Sequence, residues 1–285
     1  MRRAADAPAA NGPTRAAATR GAAPGLEIAA GVNQAVDYLH ERRGPSSSEL
    51  LDLNWAYPTW DKVMESGLAS VGASRTTASH ARETLPVDKA YVVIAGEDPR
   101  PLLVVRECDS CGGTDDALLN RTENNERTML LARWFRCVKL APDVLEDSHP
   151  FRALFSKDDP PHLFVARSDG SGRVELDGSQ SPRQLWKAME SVLREGYEKR
   201  PDSAVKALTK LLDQLDENDE RVEFLRERWE LLVEDDGPDA RKTKKVAEDL
   251  EQAQAKREEL LAKAVQVSDL GLIPVVEESE STSPR

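Results

Sequence analysis

The stretch PLLVVRECDSCGG, residues 101–113, constrains this chain more than any other. An aliphatic run suited to a strand buried on both faces stops abruptly. Cys108 and Cys111 follow, separated by Asp109 and Ser110, and a glycine pair comes next. If a strand ends before Cys108 and a helix begins just after it, the thiols sit at a helix amino terminus. There, free N–H groups and the macrodipole favour a thiolate. The spacing lets the sulfurs approach on one turn and close a small, reversible disulfide. Attack by the more exposed sulfur, Cys108, gives a mixed disulfide that Cys111 resolves, and no cofactor is needed. Residue types alone leave two other readings open. One is a pair of small apolar side chains filling a tight turn. The other is half of a tetrahedral metal site, completed by Cys137 and either His149 or His162. Against the metal stands Cys137 itself, whose place in the strand-like run WFRCVKL points it into a core as an inert thiol.

Composition narrows the class. The 285 residues suffice for one sizeable domain with extensions, or for two small ones. Asp and Glu number 51 against 39 Lys and Arg, a net charge of −12, so the chain lacks the cationic excess that nucleic-acid binding draws on. No run approaches the ~18 apolar residues of a membrane span. Three cysteines leave one over, which suits a reducing compartment better than a stapled secreted domain. The opening MRRAADAPAANGPTRAAATRGAAPG has arginines but no apolar core, and does not read as a secretory signal. A soluble, cytoplasmic protein is expected, with neither nucleic acid nor membrane as its partner.

Along the chain, residues 1–25 are too poor in apolar surface to order and read as a disordered tail. Residues 26–86 read as a helical extension: Leu26, Ala29, Val32, Val36 and Leu39 recur at helical spacing, and Gly44-Pro45 closes the run. Trp55, Tyr57 and Trp60 read as anchors packed against the next domain. From Asp88 the character changes. AYVVIAG and PLLVV are strand-like, the stretch 114–134 is helical, and WFRCVKL, PHLFVAR and RVEL are further strands. SPRQLWKAMESVLREGYE closes this region as a helix, with Leu185, Met189, Val192 and Leu193 on one face and Pro182 in its first turn. Short buried strands alternating with helices imply an α/β domain with a mixed sheet, over residues 87–199. Beyond Arg200-Pro201, a leucine stripe from Leu208 to Leu232 breaks at Asp235-Asp236-Gly237-Pro238 and resumes from Val246 to Val267. This predicts a helical hairpin or coiled coil over 202–267, able to hold a protein partner or a second copy. Residues 268–285 read as an acidic disordered tail.

Three stretches together, PLLVVRECDSC, WFRCVKL and PPHLFVARSDGSGRVEL, resemble the thioredoxin-like superfamily over about Lys89 to Tyr197. The resemblance implies a central mixed sheet flanked by helices and thiol–disulfide exchange at Cys108 and Cys111. It also implies that Pro161 is a cis-proline facing both sulfurs and offering a substrate backbone an edge to pair with. A protein disulfide or dithiol is the implied partner, with no metal and no cofactor. Departures from the family pattern are specific. Glu107 replaces the usual aromatic before the first cysteine, Asp109-Ser110 replaces Gly-Pro, and Leu102 to Val105 carry no buried acid. Two carboxylates beside Cys108 disfavour its thiolate, so a weakly acidic thiol and a reducing couple are expected. The alternative is a non-enzymatic scaffold of the same fold, binding a protein through its carboxy-terminal helices.

Overall fold

The computed structural model describes residues 43–58, 84–108, 117–120, 124–155 and 158–275. The amino-terminal tail, the first helical stripe at 26–39, Trp60, Cys111 and residues 276–285 lie outside them. The first part of the stretch expected as a disordered carboxy-terminal tail, residues 268–275, is packed instead: Leu270 is buried, and the Glu198, Lys199 and Ile273 N–H groups donate to Gly271 O, Leu270 O and Gly196 O. Among the described residues, five short strands form a single sheet: β1 (Trp55–Ala56), β2 (Leu102–Arg106), β3 (Arg136–Leu140), β4 (Leu163–Ala166) and β5 (Val174–Leu176). Their order is β1-β3-β2-β4-β5, so the strand leading to Cys108 lies in the middle. β1 and β2 run parallel to β3, with Leu103 and Trp55 both opposite Cys137. β4 runs antiparallel to β2, Leu103 facing Val165, and β5 returns antiparallel to β4.

All five residues of β2 and all four of β4 are buried, which is why their sequences show aliphatic runs rather than alternation. Alternate residues feed two cores. On one face Leu103, Val105, Cys137, Leu163 and Val165 meet the helices that follow. These are α3 (Glu126–Ala132), α4 (Pro182–Gly196), α5 (Pro201–Asp236) and α6 (Arg241–Ser268). On the other face Leu102, Val104, Val138, Leu140 and Phe164 meet α2 (Val87–Ala95) and the short turns carrying Phe151, Leu154 and Phe155. The fold is thus a mixed α/β sheet with helices on both faces. Among the described residues, no helix is long and apolar enough to cross a membrane.

Two local readings are corrected. AYVVIAG forms most of helix α2, not a strand. Ala90, Tyr91, Ile94 and Ala95 are buried while Val92 is 57% exposed, a helical rather than alternating pattern. The helix penalty of β-branched side chains is only a few tenths of a kcal/mol each, and packing outweighs it. Pro86 precedes the helix, Asp88 sits in its first turn, and Gly96, at φ +56°, ends it in a conformation that glycine adopts freely. Second, part of the stretch expected as a helical extension supplies the edge strand β1. Trp55 packs on the core and lies under the Lys139 ammonium, 4.5 Å from its ring centroid, while Tyr57 is 48% exposed and anchors nothing by burial.

The helix α4 starts as expected. Ser181 and Gln184 form a reciprocal capping box, and Pro182 takes the first helical position. The hairpin is present too, its helices joined at Gly237, φ +83°. Its two halves differ. Leu208, Leu212, Leu215, Leu260 and Ala264 belong to the main core, whereas Leu225, Val246 and Ala253 form a small core of their own further out.

The short helix α1 (Pro45–Ser48) and the residues before it are fastened to α5 by charge. Arg43 donates from Nε and Nη2 to the two oxygens of Glu126, at 2.6 and 2.8 Å, and from Nη1 to Asp213 and Asp216, at 2.7 and 2.8 Å. The backbone N–H groups of Gly44 and Ser46 reach Asp216 and Asp219, and the Ser47 hydroxyl donates to Leu212 O. These contacts explain how Ser46 and Ser47 can be fully buried.

Candidate functional site

Cys108 stands just past the carboxyl end of the central strand. β2 does not stop cleanly at Arg106. The Glu107 N–H still donates to Leu140 O of β3 at 2.8 Å, while the Arg106 N–H donates to His162 O beside β4. Continued alternation therefore sends Arg106 and Cys108 to the face of Leu102 and Val104, and Glu107 to the opposite face. Cys108 is half-buried and disulfide-bonded. Cys111, and the helix expected to begin beside it, fall outside the described residues.

Pro161 is brought to the same strand end. It is buried, one residue before His162, which pairs across from Arg106. The expected cis bond is a correction: among the described residues every peptide bond is trans, including the one between Pro160 and Pro161. In this arrangement both proline carbonyls are occupied. Arg106 donates from Nε to Pro161 O at 3.3 Å and from Nη2 to Pro160 O at 3.2 Å.

Sequence reasoning passed over Arg106. It is a charged side chain only 8% exposed, at the end of an otherwise aliphatic strand. Its third contact is the imidazole of His162, Nη2 to Nδ1 at 3.4 Å. Burial draws the guanidinium below its ordinary pKa, and the field of Asp159 acts against that fall. Burial also lowers the pKa of His162, the Arg106 charge adds to the effect, and Asp159 and Asp177 oppose it. His162 is thereby held toward its neutral form, in which Nδ1 can accept from Arg106. The signal was available: a cation two residues before a cysteine, in a strand, shares its face.

The alternative metal set is not assembled. Cys137 faces the helical core on the side of the sheet away from Cys108, where its thiol donates to Ala132 O at 3.6 Å. His149 Nδ1 accepts from the Phe151 N–H, and its Nε2 lies 3.8 Å from Asp143. Among the described residues no three His, Cys, Asp or Glu side chains cluster as metal ligands. Burial pushes the Cys137 thiol up to about 12. Its thiolate population near neutral pH is then roughly a thousandfold below that of an ordinary thiol. Iodoacetamide at pH 8 is expected to leave Cys137 unmodified in the native protein and to label it once urea unfolds the chain. Peptide mass analysis reads both, and native labelling would refute the burial.

Compared with known proteins, the chain matches no family model, no curated protein and no solved structure.

Proposed function

We propose that the chain is a thiol–disulfide oxidoreductase of thioredoxin-like type, acting as a reductant on protein disulfides through Cys108 and Cys111. The observation that carries this reading is a disulfide-bonded, half-buried Cys108 at the carboxyl end of the middle strand of a mixed sheet. Helices on both faces of that sheet agree with the resemblance. Cys137 is a free buried thiol and not the partner of Cys108, so the reading takes Cys111 as that partner.

The chemistry balances with thiols alone. The Cys108 thiolate attacks one sulfur of the substrate disulfide. The substrate S–S bond breaks, and its second sulfur leaves as a thiolate that takes a proton from water. Cys111, as thiolate, then attacks the Cys108 sulfur and releases the first substrate sulfur. Two electrons have passed to the substrate, and a dithiol reductant must restore the Cys108–Cys111 pair. In this reading the substrate contact remains assigned to Pro161, at the same strand end as Cys108, through its ring and not through its backbone, since its carbonyl is taken by Arg106.

The test is reduction of insulin by the full chain with excess dithiol. Wild type is expected to accelerate it over the dithiol alone, and Cys108→Ser to fall to the background rate, a complete loss of catalysis. A wild type no faster than background sinks the enzymatic reading. It would leave the scaffold, for which the distal half of α5 offers Phe224 and Leu231, 58% and 62% exposed and seven residues apart on one helix face.

A further inference from the structure

We propose that Arg106 is a positioning residue for Cys108. Its buried guanidinium, held by Pro160 O and Pro161 O and lacking a carboxylate partner among the described residues, supplies the counter-charge for the Cys108 thiolate. The proposal rests on the redox reading for its purpose, but not for its geometry. An arginine buried to this degree normally meets an anion, because removing its charge from water is costly unless an opposite charge compensates. Among the described residues Arg106 finds only two carbonyls and an imidazole.

The direction of the side chain is what links it to the sulfur. Arg106 pairs with His162, and continuing that antiparallel register sets Pro160 across from Cys108. The guanidinium reaches Pro160 O, so it is drawn along the face toward the strand end where Cys108 stands. Two strand residues span only about 7 Å on one face. A cation at that range, in surroundings of lowered dielectric, favours the charged form of a thiol.

Among the described residues, the other charges near this face do not cancel it. His162 is held toward its neutral form by burial and by Arg106 itself. Asp159 acts on both Arg106 and His162, and Asp177 on His162, but neither makes an ion pair with Arg106. Further along, Arg173 lies over the Phe164 ring with Glu175 at 3.1 Å, and His149 faces Asp143. Glu107 and Lys139 belong to the opposite face. Of the two carboxylates expected to suppress the thiolate, Glu107 is therefore on the opposite side of the sheet and Asp109 lies outside the described residues, while an unexpected cation shares the face of Cys108.

The test measures thiolate formation directly. The reduced full chain is alkylated with iodoacetamide across pH 5–10, Cys108 labelling is quantified by peptide mass analysis, and the midpoint is read. Wild type is expected to titrate below the ordinary thiol value of about 8.5. Arg106→Met is expected to raise the midpoint by about one pH unit, and Arg106→Lys, which keeps the charge, to stay near wild type. A wild-type midpoint at or above about 8.5, or an unchanged midpoint in folded R106M, overturns the proposal. If R106M does not fold, the wild-type midpoint alone decides. The readout separates the two ideas. A low, Arg106-dependent midpoint without insulin reduction retires the redox function and keeps the Arg106 assignment. Insulin reduction with a midpoint indifferent to Arg106 does the reverse.

Discussion

Arg43→Met is expected to destabilise the protein by about 3–5 kcal/mol, the usual cost of removing one partner from a buried charge network. The Arg43 side chain is 5% exposed and that of Glu126 9%, so the substitution leaves a carboxylate with little water to replace the lost guanidinium. Asp213, 62% exposed, loses little by comparison. Chemical unfolding in urea at pH 7 measures the change, and a loss under about 1 kcal/mol would show the network to be only a surface feature.

The same network sets a pH dependence. Burial raises the pKa of Asp216, but hydrogen bonds from Arg43 and the Gly44 N–H outweigh it and hold the carboxyl below its usual range. A depressed folded-state value means the contribution is complete above the unfolded value of about 3.9 and fades as pH falls through the folded one. The gap between wild type and R43M should accordingly narrow below about pH 4. Unfolding curves from pH 7 down to 3 check the sign, and a gap that widens on acidification would contradict it.

Deleting everything after Arg200 is expected to abolish cooperative folding. The hairpin looks in sequence like a separable appendage, yet Leu208, Leu212 and Leu215 have no exposed area, and Leu260 and Leu270 have 2% each. They complete the core that covers Leu103, Val105 and Val165. Each buried leucine is worth ~1.5–3 kcal/mol against a total domain stability of ~5–15 kcal/mol, so losing all of them together exceeds the margin. Polar contacts add to the tie: Trp134 Nε1 donates to Ser268 O at 2.7 Å, and the Glu198 and Lys199 N–H groups bond Gly271 O and Leu270 O. The shortened chain should show neither a native circular dichroism spectrum nor a sigmoidal urea transition. By contrast, Phe224→Ser and Leu231→Ser, at exposed positions of the outer half, should change stability by less than about 0.5 kcal/mol. A well-folded chain ending at Arg200 would mean that the hairpin only rests on the domain.

What could be read from the residues follows a physical rule. Segments whose burial is complete or strictly periodic declared themselves: the aliphatic strands β2 and β4, the capped amphipathic α4, and the leucine stripes of α5 and α6. Segments whose structure depends on distant partners did not. β1 has two residues, too few for any period, and exists because β3 leaves an edge for it. Arg43 and Ser46 resemble ordinary loop chemistry until α5 brings Asp213, Asp216 and Asp219 to them, some 170 residues later. AYVVIAG misled because its residue types favour strands while its buried positions recur at helical intervals. At the candidate site, the cysteine spacing was visible at once. The proposed role of Arg106 needed strand alternation and the cross-strand register, which place its cation on the face of the sheet opposite Glu107.

Both borders of the sheet are brief. β1 has two residues and β5 three, against a usual strand of about 5–6, so few unpaired backbone groups are presented laterally. Another chain's extended segment finds too little ladder on either flank to lengthen the sheet by addition, which guards a protein with such apolar central strands against fibrillar self-association.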